Sequence, residues 1–144
     1  MNSLDTNILL YTANEDCQEH EKARTLVQQA LDHSADWIIS DQVYFELYRL
    51  LRNPIVLEHP LSAAQAWEII DFYRHQSGWM HCCYETSFMA EIAELLKSNE
   101  FPPRNTFDGV LAITLKKHGV STFYTRNTRD FELFQWFTLI DPLE

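Results

Sequence analysis

Five short apolar runs, none longer than six residues, alternate with stretches whose apolar residues recur at helical spacing, and this alternation limits the folds open to the chain. The runs are Ser3–Asp5, Trp37–Ile39, Trp79–Tyr84, Ser121–Thr125 and Thr138–Ile140. Between them the spacing predicts helices over about Asn7–Thr12, Gln18–Leu31, Gln42–Arg52, Ser62–Gln76, Ser87–Lys97 and Thr106–His118, with a short one near Asp130–Phe134. The second of these carries Ala23, Leu26, Val27, Ala30 and Leu31 on one face. Ser40 or Asp41 is placed to cap the third, and Pro54 stops it. Ser62 and Gln65 have the spacing of a capping box, while Gly78 and Gly119 supply helix stops. Strand–helix alternation over residues 1–144 predicts one α/β domain with a mainly parallel sheet, whose ligands lie beyond the carboxyl ends of the strands.

Composition removes several function classes. With glycine only at 78, 109 and 119, neither a phosphate-binding loop nor a dinucleotide fingerprint can be drawn. No apolar run approaches a membrane span, and the N-terminal residues have no basic, cleavable apolar signal. Cys17, Cys82 and Cys83, an odd number with two adjacent, suit reduced thiols, so the expected compartment is the cytoplasm. The six histidines stand singly, without zinc-ligand spacing. The net charge of −10 fits poorly with phosphate binding on a basic surface. It agrees better with carboxylates gathered around cations, with a basic protein partner, or simply with solubility.

Three acids stand where periodicity places apolar residues. Glu46 shares a stripe with Val43 and Leu50, Asp108 shares one with Leu111 and Leu115, and Asp5 closes the first apolar run. A salt bridge or a helix-dipole contact accounts for any one of them alone. The chain has 11 lysines and arginines against 21 acids, so its cations cannot pair with every carboxylate. Carboxylates meeting at one strand end repel unless a divalent cation lies among them, and an all-oxygen site suits Mg2+ or Mn2+.

Four segments, Leu4-Asp5-Thr6-Asn7-Ile8-Leu9, Ile39-Ser40-Asp41-Gln42-Val43-Tyr44-Phe45-Glu46-Leu47, Phe107-Asp108-Gly109-Val110-Leu111-Ala112-Ile113 and Tyr124-Thr125-Arg126-Asn127-Thr128-Arg129-Asp130-Phe131, resemble in order and spacing the PIN-domain nucleases, particularly the toxin ribonucleases of VapC-type toxin–antitoxin pairs. The resemblance covers nearly the whole chain. It implies a PIN-like three-layer α/β/α sandwich and an acidic set of Asp5, Glu46, Asp108 and Asp130, acting as metal ligands and catalytic groups. Asp130 shares its motif with Asn127, which occupies the earlier of two positions the family uses. Thr6, Asn7, Thr125 and Asn127 become supporting polar groups, and Arg104, Arg126 and Arg129 become candidate phosphate contacts.

The resemblance further implies hydrolysis of RNA phosphodiester bonds with Mg2+ or Mn2+, leaving 5′-phosphate and 3′-hydroxyl ends. It also implies a cognate antitoxin and a homodimer, in a region that includes Tyr44, Tyr48, Trp67, Phe72 and Tyr73. Three alternatives stay open from the sequence. A catalytically silent binding module is disfavoured because all four acidic positions are filled. An aspartyl-nucleophile phosphatase lacks its second aspartate, since Asn7 stands there. A DNA-cutting member of the same family is not separated from an RNA-cutting one.

Overall fold

The computed structural model describes all residues from Met1 to Glu144. The strands are β1 (Asn2–Leu4), β2 (Ile38–Ser40), β3 (Met80–Cys82), β4 (Thr122–Tyr124) and β5 (Thr138–Ile140). The helices are α1 (Thr6–Ala13), α2 (His20–Asp32), α3 (Asp41–Leu51), α4 (Ala63–His75), α5 (Met89–Leu96), α6 (Thr106–Lys117) and the single turn α7 (Thr128–Phe131).

Every strand pairing is parallel. β1 pairs with β4 and β4 with β5, while β2 pairs with β3. A parallel bridge between Asn2 and Trp37 joins the two groups, so the strands run in the order β3-β2-β1-β4-β5. β1 is therefore central, with the chain reversing its direction of winding on either side of it. Such a switch point opens a crevice at the carboxyl ends of the strands.

Each strand is three residues long, and at three strand ends the neighbouring side chain has another use. Trp79, expected to open β3, instead stacks on Tyr73 with ring centroids 5.2 Å apart and donates its indole N–H to the Ala30 carbonyl at 3.0 Å. At the other end, Asp5 and Ser40 leave their strands to cap α1 and α3: Thr6 N–H donates to Asp5 Oδ1 at 2.8 Å and Gln42 N–H to Ser40 Oγ at 3.3 Å. The capping box at Ser62 and Gln65 forms in both directions, at 3.2 and 3.0 Å. α2 starts two residues later than its periodicity suggests, since Cys17 and His20 N–H groups are held in turns by Asn14 and Cys17 carbonyls. α7 occupies Thr128–Phe131 rather than Asp130–Phe134, and Gly119 ends α6 with a positive φ of 81°.

The main apolar cluster joins Leu4, Ile8, Leu9, Ile39, Leu47, Leu111, Leu115 and Phe123, and a smaller one joins Phe88, Ile92 and Ile113 between α5 and α6. The main cluster includes an aromatic group, with Phe131 and Phe137 packed on Phe123 at ring-centroid distances of 4.8 and 5.6 Å. No helix is long and apolar enough to cross a membrane.

Candidate active site

The carboxyl ends of β1 and β4 deliver the first two site residues side by side. Asp5 N–H donates to the Tyr124 carbonyl at 2.9 Å, extending the ladder one residue beyond β1 and setting Asp5 against Thr125. Thr125 Oγ1 donates to Asp5 Oδ2 at 2.7 Å, and Asn7 Nδ2 reaches the same oxygen at 3.3 Å. With Thr6 N–H on Oδ1, both oxygens of a carboxylate that is only 8% exposed are engaged, and its orientation is fixed. Asn7 also accepts from Arg126 N–H at 3.3 Å, and Asn127 N–H donates to Thr125 Oγ1 at 3.0 Å, so the supporting residues tie the β4–α7 loop to α1.

Glu46 arrives from α3. Thr6 Oγ1 donates to its Oε2 at 3.0 Å and Gln42 Nε2 to its Oε1 at 3.2 Å. The same Gln42 amide reaches the Phe107 carbonyl at 3.0 Å, which fixes the start of α6 against α3. Asp108 lies in that first turn of α6. The glycine after it lets α5 and the Phe101 ring pack closely: a Cβ on Gly109 would stand 2.9 Å from Leu95 Cδ2 and 3.1 Å from Phe101 Cζ. Asp130 is held by the buried Asn105, whose Nδ2 lies 3.4 Å from Asp130 Oδ1 and 3.5 Å from its carbonyl. Gln42 and Asn105 were not among the residues the sequence singled out. Only the helical i, i+4 relation of Gln42 to Glu46 could have signalled the first, and nothing local signals the second.

All four acids are thus brought together, and none forms an ion pair with a lysine, arginine or histidine. Asp108 has no hydrogen-bond partner either. Burial and then the charges of Asp5, Asp130 and Glu46 push its carboxyl up to about 7. Asp5 is pushed up to about 6, first by burial; the bonds from Thr125 and Thr6 oppose this, and the charges of Glu46 and Asp130 add to it. Uncompensated negative charge of this kind is what a cation relieves. The donors are all oxygens, which matches a hard divalent ion. No three of the acids stand close enough to close into a cage of protein ligands.

The arginines divide. Arg126 is taken up by Asp141 at 3.0 Å, a surface ion pair rather than a free phosphate contact, whereas Arg104 and Arg129 are exposed and unpaired.

A family model described as PIN domain matches residues 3–135. Ribonuclease VapC24 of Mycobacterium tuberculosis is 38% identical over 143 residues, covering 99% of this chain and 97% of that protein. Among solved structures, the Mycobacterium tuberculosis toxin VapC20, described as cleaving the sarcin-ricin loop, aligns with a TM-score of 0.71 at 15% identity, over 93% of this chain and 95% of that one. VapBC2 from Rickettsia felis, bound to a DNA fragment from its promoter, aligns with a TM-score of 0.67 at 17% identity, over 96% of both chains. At those identities the two structures speak for the fold.

Proposed function

Because the chain belongs to the PIN domain family, we propose that it is an endoribonuclease of the toxin–antitoxin type that uses Mg2+ or Mn2+ held by Asp5, Glu46, Asp108 and Asp130. The observation that carries the proposal is the meeting of four carboxylates from four separate segments with no protein cation among them. A fold stabilised for its own sake would pair or neutralise such charges. When bound, the ion supplies Lewis acidity toward a phosphodiester and the positive charge that the cleft lacks.

The chain's own groups have separable roles. Thr125, Asn7 and the Thr6 amide hold Asp5 rigidly, so one ligand is preoriented. Thr6 and Gln42 fix Glu46 from both sides, and Asn105 steadies Asp130. Asp108, with nothing bonded to it, is the carboxylate free to take a cation or a proton. Arg104 and Arg129, exposed and directly preceding Asn105 and Asp130 in the chain, are available to phosphate oxygens. None of these groups needs to act as a covalent nucleophile, and the products carry 5′-phosphate and 3′-hydroxyl ends. A cytoplasmic antitoxin that covers the acidic cleft with basic residues, and a homodimer, complete the reading.

The test is cleavage of end-labelled structured RNAs and matching DNAs by protein freed of co-purifying partners, in Mn2+, Mg2+ and EDTA. Asp5→Asn and Asp108→Asn are expected to lower cutting of RNA about a thousandfold or more, the several kcal/mol that ligation contributes. Cutting of DNA alone would transfer the site to a different substrate, and no cutting together with no Mn2+ binding would overturn the enzyme reading.

A further inference from the structure

A glutamine side chain has two N–H donors, and at Gln42 both are spent at the cleft. The amide nitrogen lies 3.2 Å from Glu46 Oε1, four residues on along α3, and 3.0 Å from the Phe107 carbonyl, 65 residues away at the start of α6. A carbonyl inside an α-helix already accepts from the N–H four residues ahead, so the bond to Phe107 is an extra one that rescues no orphaned group. Packing does not account for it either. α3 packs chiefly on α1 and α4, and α6 chiefly on α5, so direct packing between α3 and α6 is slight. The Phe107 ring is 70% exposed, and the turn is tied to α3 through its main chain.

What stands on each side of that tie gives it a use. Glu46 is the acceptor on α3, and Asp108 is the residue after Phe107 on α6. Their like charges push the two helix segments apart. No three of the acids close into a cage, so the distance at which they are held decides how firmly an ion is gripped. Thr6 links Glu46 to Asp5 through its hydroxyl and its N–H, and Gln42 makes the corresponding link toward Asp108. A lysine could bridge the same two acceptors, but its charge would compete with the ion, whereas a neutral amide holds the carboxylate without neutralising it. We propose that Gln42 is a positioning residue that keeps the Asp108 turn at a fixed distance from Glu46 and thereby sets the affinity of the cleft for its divalent ion. This rests on the reading of the cleft as an ion site.

The test is Mn2+ affinity by titration calorimetry, with thermal midpoints in EDTA, for the wild type, Gln42→Met and Gln65→Met. Methionine matches glutamine in length and lacks the donor. Gln65 is the comparison because its side chain also ties down a helix start, in the capping box of α4, outside the cleft. Gln42 is partly exposed, so Gln42→Met is expected to fold, which its midpoint checks. It is expected to bind Mn2+ about tenfold more weakly or worse, the usual cost of removing a partner that orients metal ligands. Its loss of RNA cleavage should be made good by raising Mn2+ in proportion, which a purely structural defect would not allow. Gln65→Met should lose stability in EDTA and keep the wild-type Mn2+ affinity. A Gln42→Met protein that binds Mn2+ as tightly as the wild type, or a Gln65→Met protein weakened as much, would overturn the positioning role alone. A wild type that binds no Mn2+ would overturn the ion reading of the cleft and the positioning role together.

Discussion

Two polar clusters lie along the same carboxyl edge of the sheet, and they are built by opposite rules. Beside β2 and β3, Asp41 is paired with Arg74 through two contacts of 2.8 and 3.5 Å, and Tyr44 is hydrogen-bonded to His81 of β3 at 2.7 Å. Beyond β1 and β4, four carboxylates meet and no cation answers them. The two clusters share a helix, since Asp41, Tyr44 and Glu46 all belong to α3. Placement on that helix therefore does not separate them. Pairing does: a polar cluster that closes on itself holds α3 to α4 and β3, whereas one left open is committed to something outside the chain.

The largest expected effect probes that openness directly. At Mn2+ about a hundredfold above its dissociation constant, mass action adds about 2.7 kcal/mol to the folded state, or about 5–10 °C in thermal midpoint for a chain of this size. Calorimetric scans with Mn2+ and with EDTA measure it. Asp108→Asn should lose most of the rise and Arg74→Ala should keep all of it. Equal loss in both variants would mean that the two clusters act as one.

The pH dependence in EDTA follows next, and the clusters should pull in opposite directions. Asp5 and Asp108 titrate at about 6 and about 7 when folded, above their ordinary value of 3.8, so from about pH 4 to 7 the folded state holds more protons than the unfolded one. Their contribution is complete below pH 4 and is lost as pH rises through 6 and 7. His81 has the reverse sign. Burial first, and then the Arg74 charge, lower it to about 4 from 6.5, so the unfolded state binds the extra proton and acidification through that window costs stability. Asp108→Asn should therefore raise the thermal midpoint at pH 8 by a few degrees and little at pH 4.5, while His81→Gln should raise it only at the acid end. Midpoints across pH 4.5–8 decide both.

How much of this was legible in the sequence depended on how local each contact is. Asp5, Glu46 and Asp108 stood out because an apolar stripe surrounds each, a pattern within one turn or one strand. The caps at Ser40 and Ser62 were legible for the same reason, and so was the parallel sheet, from alternation alone. Contacts made only by the fold stayed hidden. Thr6 reaches Glu46 across 40 positions, Gln42 reaches Phe107 across 65, and Asn105 reaches Asp130 across 25. Arg126 read as a phosphate contact because its partner, Asp141, lies on the far side of β5 in the chain. Element ends shifted by one or two residues wherever a side chain had a tertiary use, as with Trp79 against Tyr73.

The smallest effect expected is in the closed cluster. Arg74 and Asp41 are both partly in water, so their coupling is expected to be about 0.2–1 kcal/mol. Asp41 also acts on its own helix, because it is in the first turn of α3, where its charge meets the positive end of the helix dipole. Asp41→Asn should then lower the thermal midpoint more than Arg74→Ala does, with the double variant close to Asp41→Asn alone, because the arginine has nothing left to hold. RNA cleavage should stay within about twofold of wild type in all three, since surface substitutions away from a site rarely reach it. If Arg74→Ala alone cut cleavage tenfold, α3 would be transmitting the pair's geometry to Glu46, and the closed cluster would belong to the open one after all.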